Sequence, residues 1–135
     1  MSAKTDLIRR LKRGRPQLSV GTLTGSMMNQ ARELNLLEES GVELLHLDVM
    51  DGVAWPKITV GPGFLAGLET TLVKDVHLLV ARPENHIDGF VAAGADVICF
   101  ALEHSDDVGG ALSKITNSDR EVLCGVSIYP TTPLD

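Results

Sequence analysis

Five apolar runs of strand length recur along this chain at intervals of about 25 residues, and that rhythm restricts the fold more than any other feature of the sequence. They span Leu18 to Leu23, Leu44 to Met50, Val73 to Val80, Val97 to Leu102 and Glu121 to Ile128. Each interval accommodates one strand, one helix and two short loops. The segments between carry helical signals: Met27 to Ser40 sets Leu34 and Leu37 apart from Arg32, Glu33, Glu38 and Glu39. Arg82 to Ala93 groups Ile87, Phe90 and Val91, with Pro83 in a first turn where its missing N–H costs nothing. Gly41 and Gly94 follow two of these segments, and each is expected to close a helix in the left-handed conformation.

This order predicts an α/β fold, (βα)4β with a short N-terminal helix, in which a parallel sheet is covered by helices. A five-stranded doubly wound sheet and an incomplete (β/α)8 TIM barrel both fit it. No G-x-G-x-x-G turn follows the first strand, so a dinucleotide fold has no support beyond topology. A complete barrel needs about 200 residues or more, so 135 residues supply about five of its eight strands.

Aromatic residues make up only 4% of the chain, which leaves the core to Leu, Val, Ile and Ala, a composition suited to buried parallel strands. The net charge of −6 is unevenly distributed. Residues 1–17 hold six of the twelve basic residues (Lys4, Arg9, Arg10, Lys12, Arg13, Arg15) against Asp6 alone. We therefore divide the chain into a basic helix over 1–17, expected to be solvated, and a partial barrel over 18–135. The acidic remainder argues against nucleic acid as a partner. The leader has no apolar stretch of signal-peptide length and the chain no run of about 18 apolar residues, so a cytoplasmic protein that does not enter membranes is expected. Cys99 and Cys124 each lie in a strand run and are expected to be reduced, buried thiols.

In a strand, residues two apart share a face, so His46, Asp48 and Met50 line one side of the second strand and approach its C-terminal end. Barrel enzymes place their catalytic groups at that end. An aspartate among Leu44, Leu47 and Val49 must be paired, metal-bound or wet. His77 is similarly placed in the third strand, and a lone histidine there is more often a satisfied core residue than a ligand. Adjacency of the two strands changes that weighting, because it can bring His77 to His46 and Asp48. Two imidazoles and a carboxylate form an N,N,O set suited to a divalent metal such as Zn, Fe, Mn or Co. The next segment, Met50 to Pro62, is a turn-rich loop bearing the only tryptophan. Either Asp51-Gly52 is a tight turn with Trp55 packed on a helix, or the apolar loop covers a bound substrate.

Leu45-His46-Leu47-Asp48-Val49-Met50-Asp51-Gly52, followed by Pro56-x-Ile58-Thr59-x-Gly61-Pro62, resembles the ribulose-phosphate 3-epimerase family. The similarity continues through Asp75-Val76-His77-Leu78, Arg82-Pro83-Glu84, Ala92-Ala93-Gly94-Ala95-Asp96 and Pro130-x-Thr132-Pro133. The resemblance implies an isomerase of the pentose phosphate pathway that interconverts D-ribulose 5-phosphate and D-xylulose 5-phosphate by moving a proton at C3. In that family two aspartates act as base and acid around an enediolate, and a divalent metal steadies the developing oxyanion. Asp48 matches the first aspartate, which is also a metal ligand. His46 and His77 match two further ligands, and Met50 a methionine lining the site; the substrate-contacting set carried over is Gly21, His46, Met50 and His77.

The sequence departs from the family at three places. Val20-Gly21-Thr22-Leu23 stands where the family has Pro-Ser-Ile-Leu, so Gly21 lacks the substrate-binding hydroxyl, and Thr22 faces the other side. Leu79 replaces a methionine, and Thr131 replaces a glycine after the fifth strand. These bear on the sugar, and a six-carbon ketose phosphate such as D-allulose 6-phosphate is the alternative substrate. The family's second catalytic aspartate, fourth metal ligand and phosphate loops belong to strands six to eight. The chain is accordingly expected to be the front portion of such a barrel, inactive alone. Its two unsatisfied sheet edges lead to the expectation of a homo-oligomer, with a non-catalytic half-barrel as the other alternative.

Overall fold

Burial alternates along the second strand, β2 (Leu44–Met50): Leu45, Leu47 and Val49 are between 0% and 5% exposed, whereas His46, Asp48 and Met50 are half-buried. That two-residue period separates a packed outer face from an inner face that carries polar groups. The computed structural model describes residues 3–14 and 16–134; Arg15 of the basic leader and the terminal Asp135 lie outside the described residues.

The other strands are β1 (Ser19–Gly21), β3 (Val73–Leu79), β4 (Val97–Ala101) and β5 (Leu123–Ser127). Each pairs in parallel with its sequence neighbour, giving one open sheet in the order β1-β2-β3-β4-β5. Helices α2 (Gln30–Glu39), α3 (Pro62–Ala66), α4 (Ile87–Ala92) and α5 (Val108–Thr116) connect successive strands. Leu34, Leu65, Ile87, Phe90, Ala111 and Ile115 from these helices pack with the outer-face residues of β2, β3 and β4 in one core. This is the α/β order of the first five strands of a TIM barrel.

The left-handed glycines occur where the sequence places them. Gly41 has φ 75°, and the Val42 N–H returns to the Leu37 carbonyl at 3.1 Å. Gly94 has φ 95°, and the Ala95 N–H returns to the Phe90 carbonyl at 3.0 Å. Such backward bonds satisfy carbonyls at a helix end and turn the chain into the next strand.

Some boundaries differ from expectation for local reasons. β1 stops at Gly21, because the Thr24 hydroxyl donates to the Gly21 carbonyl and the Gly25 N–H to the Thr22 carbonyl, closing a 3-10 turn. The connection between β3 and β4 opens with a 3-10 turn at Pro83–Asn85 before α4 begins. Arg82 there has φ 52°, the sole non-glycine residue with positive φ among the described residues.

The basic leader forms α1 (Ala3–Lys12), which is more than a solvated helix. Ile8 is 5% exposed, and Leu11 packs, as Val97 does, against the Leu44 and Val73 cluster at the N-terminal end of the inner face. Two of its cations reach acidic partners: Arg10 pairs with Glu43 and Asp6, and Lys12 with Glu121. An amphipathic helix can do both, since long basic side chains cover apolar surface while keeping their heads in water.

The two thiols need correction. Both are free, yet Cys124 is exposed and Cys99 half-buried. Cys124 and Val126 occupy the outer face of an edge strand, beyond the shelter that covers β2 to β4. No described helix is long and apolar enough to cross a membrane.

Candidate active site

The strand register brings the polar inner-face residues together. Gly21, His46 and Asp75 lie in one row across β1, β2 and β3, and Asp48 faces His77 in the next row toward the C-terminal end. The Asp48 Oδ1 atom is 3.2 Å from His46 Nε2 and 3.1 Å from His77 Nδ1. One ligand atom from each of His46, Asp48 and His77 lies within 4.8 Å of the others. The two rings are tilted by 48°, with centroids 5.9 Å apart.

Further hydrogen bonds extend this triplet across the sheet. His46 Nδ1 lies 2.8 Å from Asp75 Oδ2, and the same oxygen accepts from the Ser19 hydroxyl at 2.9 Å. His77 Nε2 lies 3.0 Å from the Ser127 hydroxyl on β5. Asp75, Ser19 and Ser127 were not among the expected site residues. Asp75 could have been found, because it stands two residues before His77 and shares its face; Ser19 and Ser127 carry no such signal without the pairing register.

The bond to Asp75 raises the His46 pKa from its ordinary value, against the opposing effect of burial and with help from the charge of Asp48. The chemistry of this arrangement favours a cation. If His46 donates Nδ1–H to Asp75, its Nε2 presents a lone pair to the Asp48 carboxylate. Two acceptors at 3.2 Å repel unless a proton or a metal ion lies between them. The N,N,O donor set therefore fits a divalent cation on its own geometry.

Near the other expected positions the surface is open. A methyl group added at Gly21 would meet no atom within 4 Å. Met50 is half-buried at the end of β2, paired in register with Leu79. Thr22 is buried with its hydroxyl toward the His46 carbonyl, and exposed Thr131 lies beyond β5.

The loop after β2 is tied down at both ends. The Thr59 hydroxyl donates to the Asp48 carbonyl and accepts from the Met50 N–H, both at 2.9 Å. Asp51 accepts from the N–H groups of Val53, Ala54 and Ala81 at 2.8 to 2.9 Å. Burial pushes the Asp51 pKa upward, but these donors together hold it below its ordinary value. Between the anchors Val53, Trp55 and Ile58 are 78%, 40% and 83% exposed, so the tryptophan is not buried against a helix.

A sequence model described as the ribulose-phosphate 3 epimerase family matches residues 17–135. A Salmonella typhimurium protein named as an epimerase, LsrE, is 38% identical over 127 residues, which cover 87% of this chain and 49% of that protein. A ribulose-phosphate 3-epimerase of Synechocystis sp. is 33% identical over 84% of this chain and 50% of its own length. A ribulose-phosphate 3-epimerase of Treponema pallidum is 41% identical over 76% of this chain and 47% of its own. The chain thus spans about half the length of the curated relatives it matches. With a family match over nearly its whole length and an open parallel sheet that agrees with the first part of a barrel, this chain belongs to the ribulose-phosphate 3-epimerase family.

Proposed function

We propose that this chain supplies the front half of a sugar-phosphate epimerase site, with Asp48 as the group that exchanges a proton at C3 of D-ribulose 5-phosphate and D-xylulose 5-phosphate. The observation that carries this reading is the position of Asp48 Oδ1, within 3.2 Å of one nitrogen of His46 and of His77 at the C-terminal end of neighbouring strands. His46, Asp48 and His77 would hold the divalent cation, whose chemistry is to stabilise negative charge on a substrate oxygen while the C3 proton is away. The two imidazoles orient the carboxylate. Gly21 and Met50, with His46 and His77, would border the sugar.

A carboxylate on one face can remove a proton but cannot deliver one to the opposite face, as inversion requires. The second acid, a further metal ligand and the phosphate loops would therefore come from the later part of a complete barrel. In the described sheet β1 and β5 each have one unpaired edge, and edges of this kind favour self-association.

The test joins the chain to the later strands of a family member and follows uptake of solvent deuterium at C3 of D-ribulose 5-phosphate. Metal-dependent exchange is expected, and Asp48→Asn should abolish it. Exchange that persists in the variant would remove Asp48 from the reaction. The open space at Gly21 favours a second reading, a six-carbon ketose phosphate such as D-allulose 6-phosphate; faster exchange with that sugar would select it.

A further inference from the structure

We propose that Asp75 is the positioning residue of this site: it holds His46 with Nδ1–H toward itself and so leaves the Nε2 lone pair, on the side of Asp48, available to a cation. The consequence for metal affinity rests on the reading of His46, Asp48 and His77 as ligands; the orientation of the ring does not.

Three observations lead here. The shortest contact of the His46 ring is to Asp75 Oδ2, at 2.8 Å, compared with 3.2 Å from Nε2 to Asp48. Asp75 is the least exposed of the four groups, at 17% against 21% for His77, 28% for His46 and 38% for Asp48. Its oxygen is itself fixed by the Ser19 hydroxyl at 2.9 Å, from two strands away. Asp75 is thus less exposed than the ring it holds, and its Oδ2 is held by Ser19 as well as by His46.

A neutral imidazole has one N–H and one lone pair, and the partner of the N–H decides which nitrogen is free. A carboxylate offers no proton, so His46 Nδ1 must carry one to bond with Asp75. Without Asp75, the ring reverts toward the Nε2–H form that free histidine favours, which points a hydrogen at Asp48 and blocks that nitrogen as a ligand. Carboxylates that orient a ligating histidine in this way typically contribute about 10–100-fold to metal affinity.

The experiment uses the 135-residue chain with ring nitrogens labelled, in wild-type form and as Asp75→Ala and the isosteric Asp75→Asn. The His46 tautomer is first read from long-range ¹H–¹⁵N spectra of metal-free protein, at a pH above the histidine range. Zn²⁺ affinity is then measured against a competing chelator. Wild type should show Nδ1–H. Asp75→Ala should switch to Nε2–H and bind Zn²⁺ about 10–100-fold more weakly. Asp75→Asn can offer either its carbonyl or its amide to the ring, so its affinity should follow whichever tautomer it adopts.

An Nε2–H ring in wild type, or an unchanged ring in Asp75→Ala, would overturn the assignment. So would lost affinity in a variant that keeps Nδ1–H, or full affinity in one that has switched. If the tautomers behave as expected and neither wild type nor variants bind Zn²⁺, the ligand reading fails while the positioning role of Asp75 stands.

Discussion

The outer and inner faces of the same strands solve opposite problems. On the outer face Leu45, Val76, Leu78, Ile98 and Phe100 are fully buried under α2 to α5. One residue along each strand, the inner face holds His46, Asp48, Asp75 and His77 with side chains 17–38% exposed. Apolar burial on one side fixes the backbone, and that fixed backbone holds ionisable groups at distances they would not choose in water. The apolar core and the polar cluster therefore occupy alternate residues of one strand, and substitutions on the two faces should have separable effects.

The largest effect on stability should come from Phe100→Ala, which deletes a fully buried ring and should cost about 3–5 kcal/mol in urea unfolding. A loss below about 1 kcal/mol would mean the outer face is not what holds the sheet. Leu11→Ala removes the part-buried contact of α1 with the Leu44 and Val73 cluster and should cost about 1–2 kcal/mol. That result would place a smaller apolar anchor on the inner face, at the end away from Asp48.

Asp48→Asn should leave the free energy of urea unfolding within about 1 kcal/mol of wild type, because its ion pairs are part-exposed. If His46, Asp48 and His77 hold the cation as proposed, wild type should melt at a higher temperature with Zn²⁺ than without it, and the same substitution should eliminate that rise. A large loss of stability without metal would show that the inner triplet is a structural element after all.

Glu38 offers a comparison in pH. The hydroxyl of Thr70, then the N–H and hydroxyl of Thr71, hold its carboxyl below the ordinary value. A depressed folded-state pKa gives stability that is present above the unfolded value and lost as pH falls through the folded one. Wild type and Glu38→Gln should therefore converge in melting temperature on acidification; a gap that persists at low pH would assign the effect to packing. The smallest effect should come from Ser19→Ala, which removes one donor to Asp75 and should weaken Zn²⁺ binding less than Asp75→Ala does.

Much of this arrangement was legible because it is periodic. The alternation in Leu44–Met50 reveals which residues share a face, and Gly41 and Gly94 mark helix ends through a conformation that other residues adopt only at a cost. Asp75 is absent from the expected site residues, although its spacing from His77 carries the same information as that between His46 and Asp48. The end of β1 was misjudged because Thr24 and Gly25 close a turn through bonds that leave no trace in hydropathy. The fate of Cys124 depended on its strand lying at an edge, a property of strand order and not of the residues around it.

By itself the sequence determined the element order, the faces of the central strands and the identity of the triplet His46, Asp48 and His77. Those features depend on residues close together in the chain and on the fixed periods of strand and helix. The tertiary structure alone decided that His46 turns to Asp75, that Ser19 reaches across a strand to the same oxygen, and that Leu11 seals one end of the inner face. Each of these contacts joins residues at least 29 positions apart, and their meeting is set by strand register and helix docking, which hydrophobic pattern constrains only as a set.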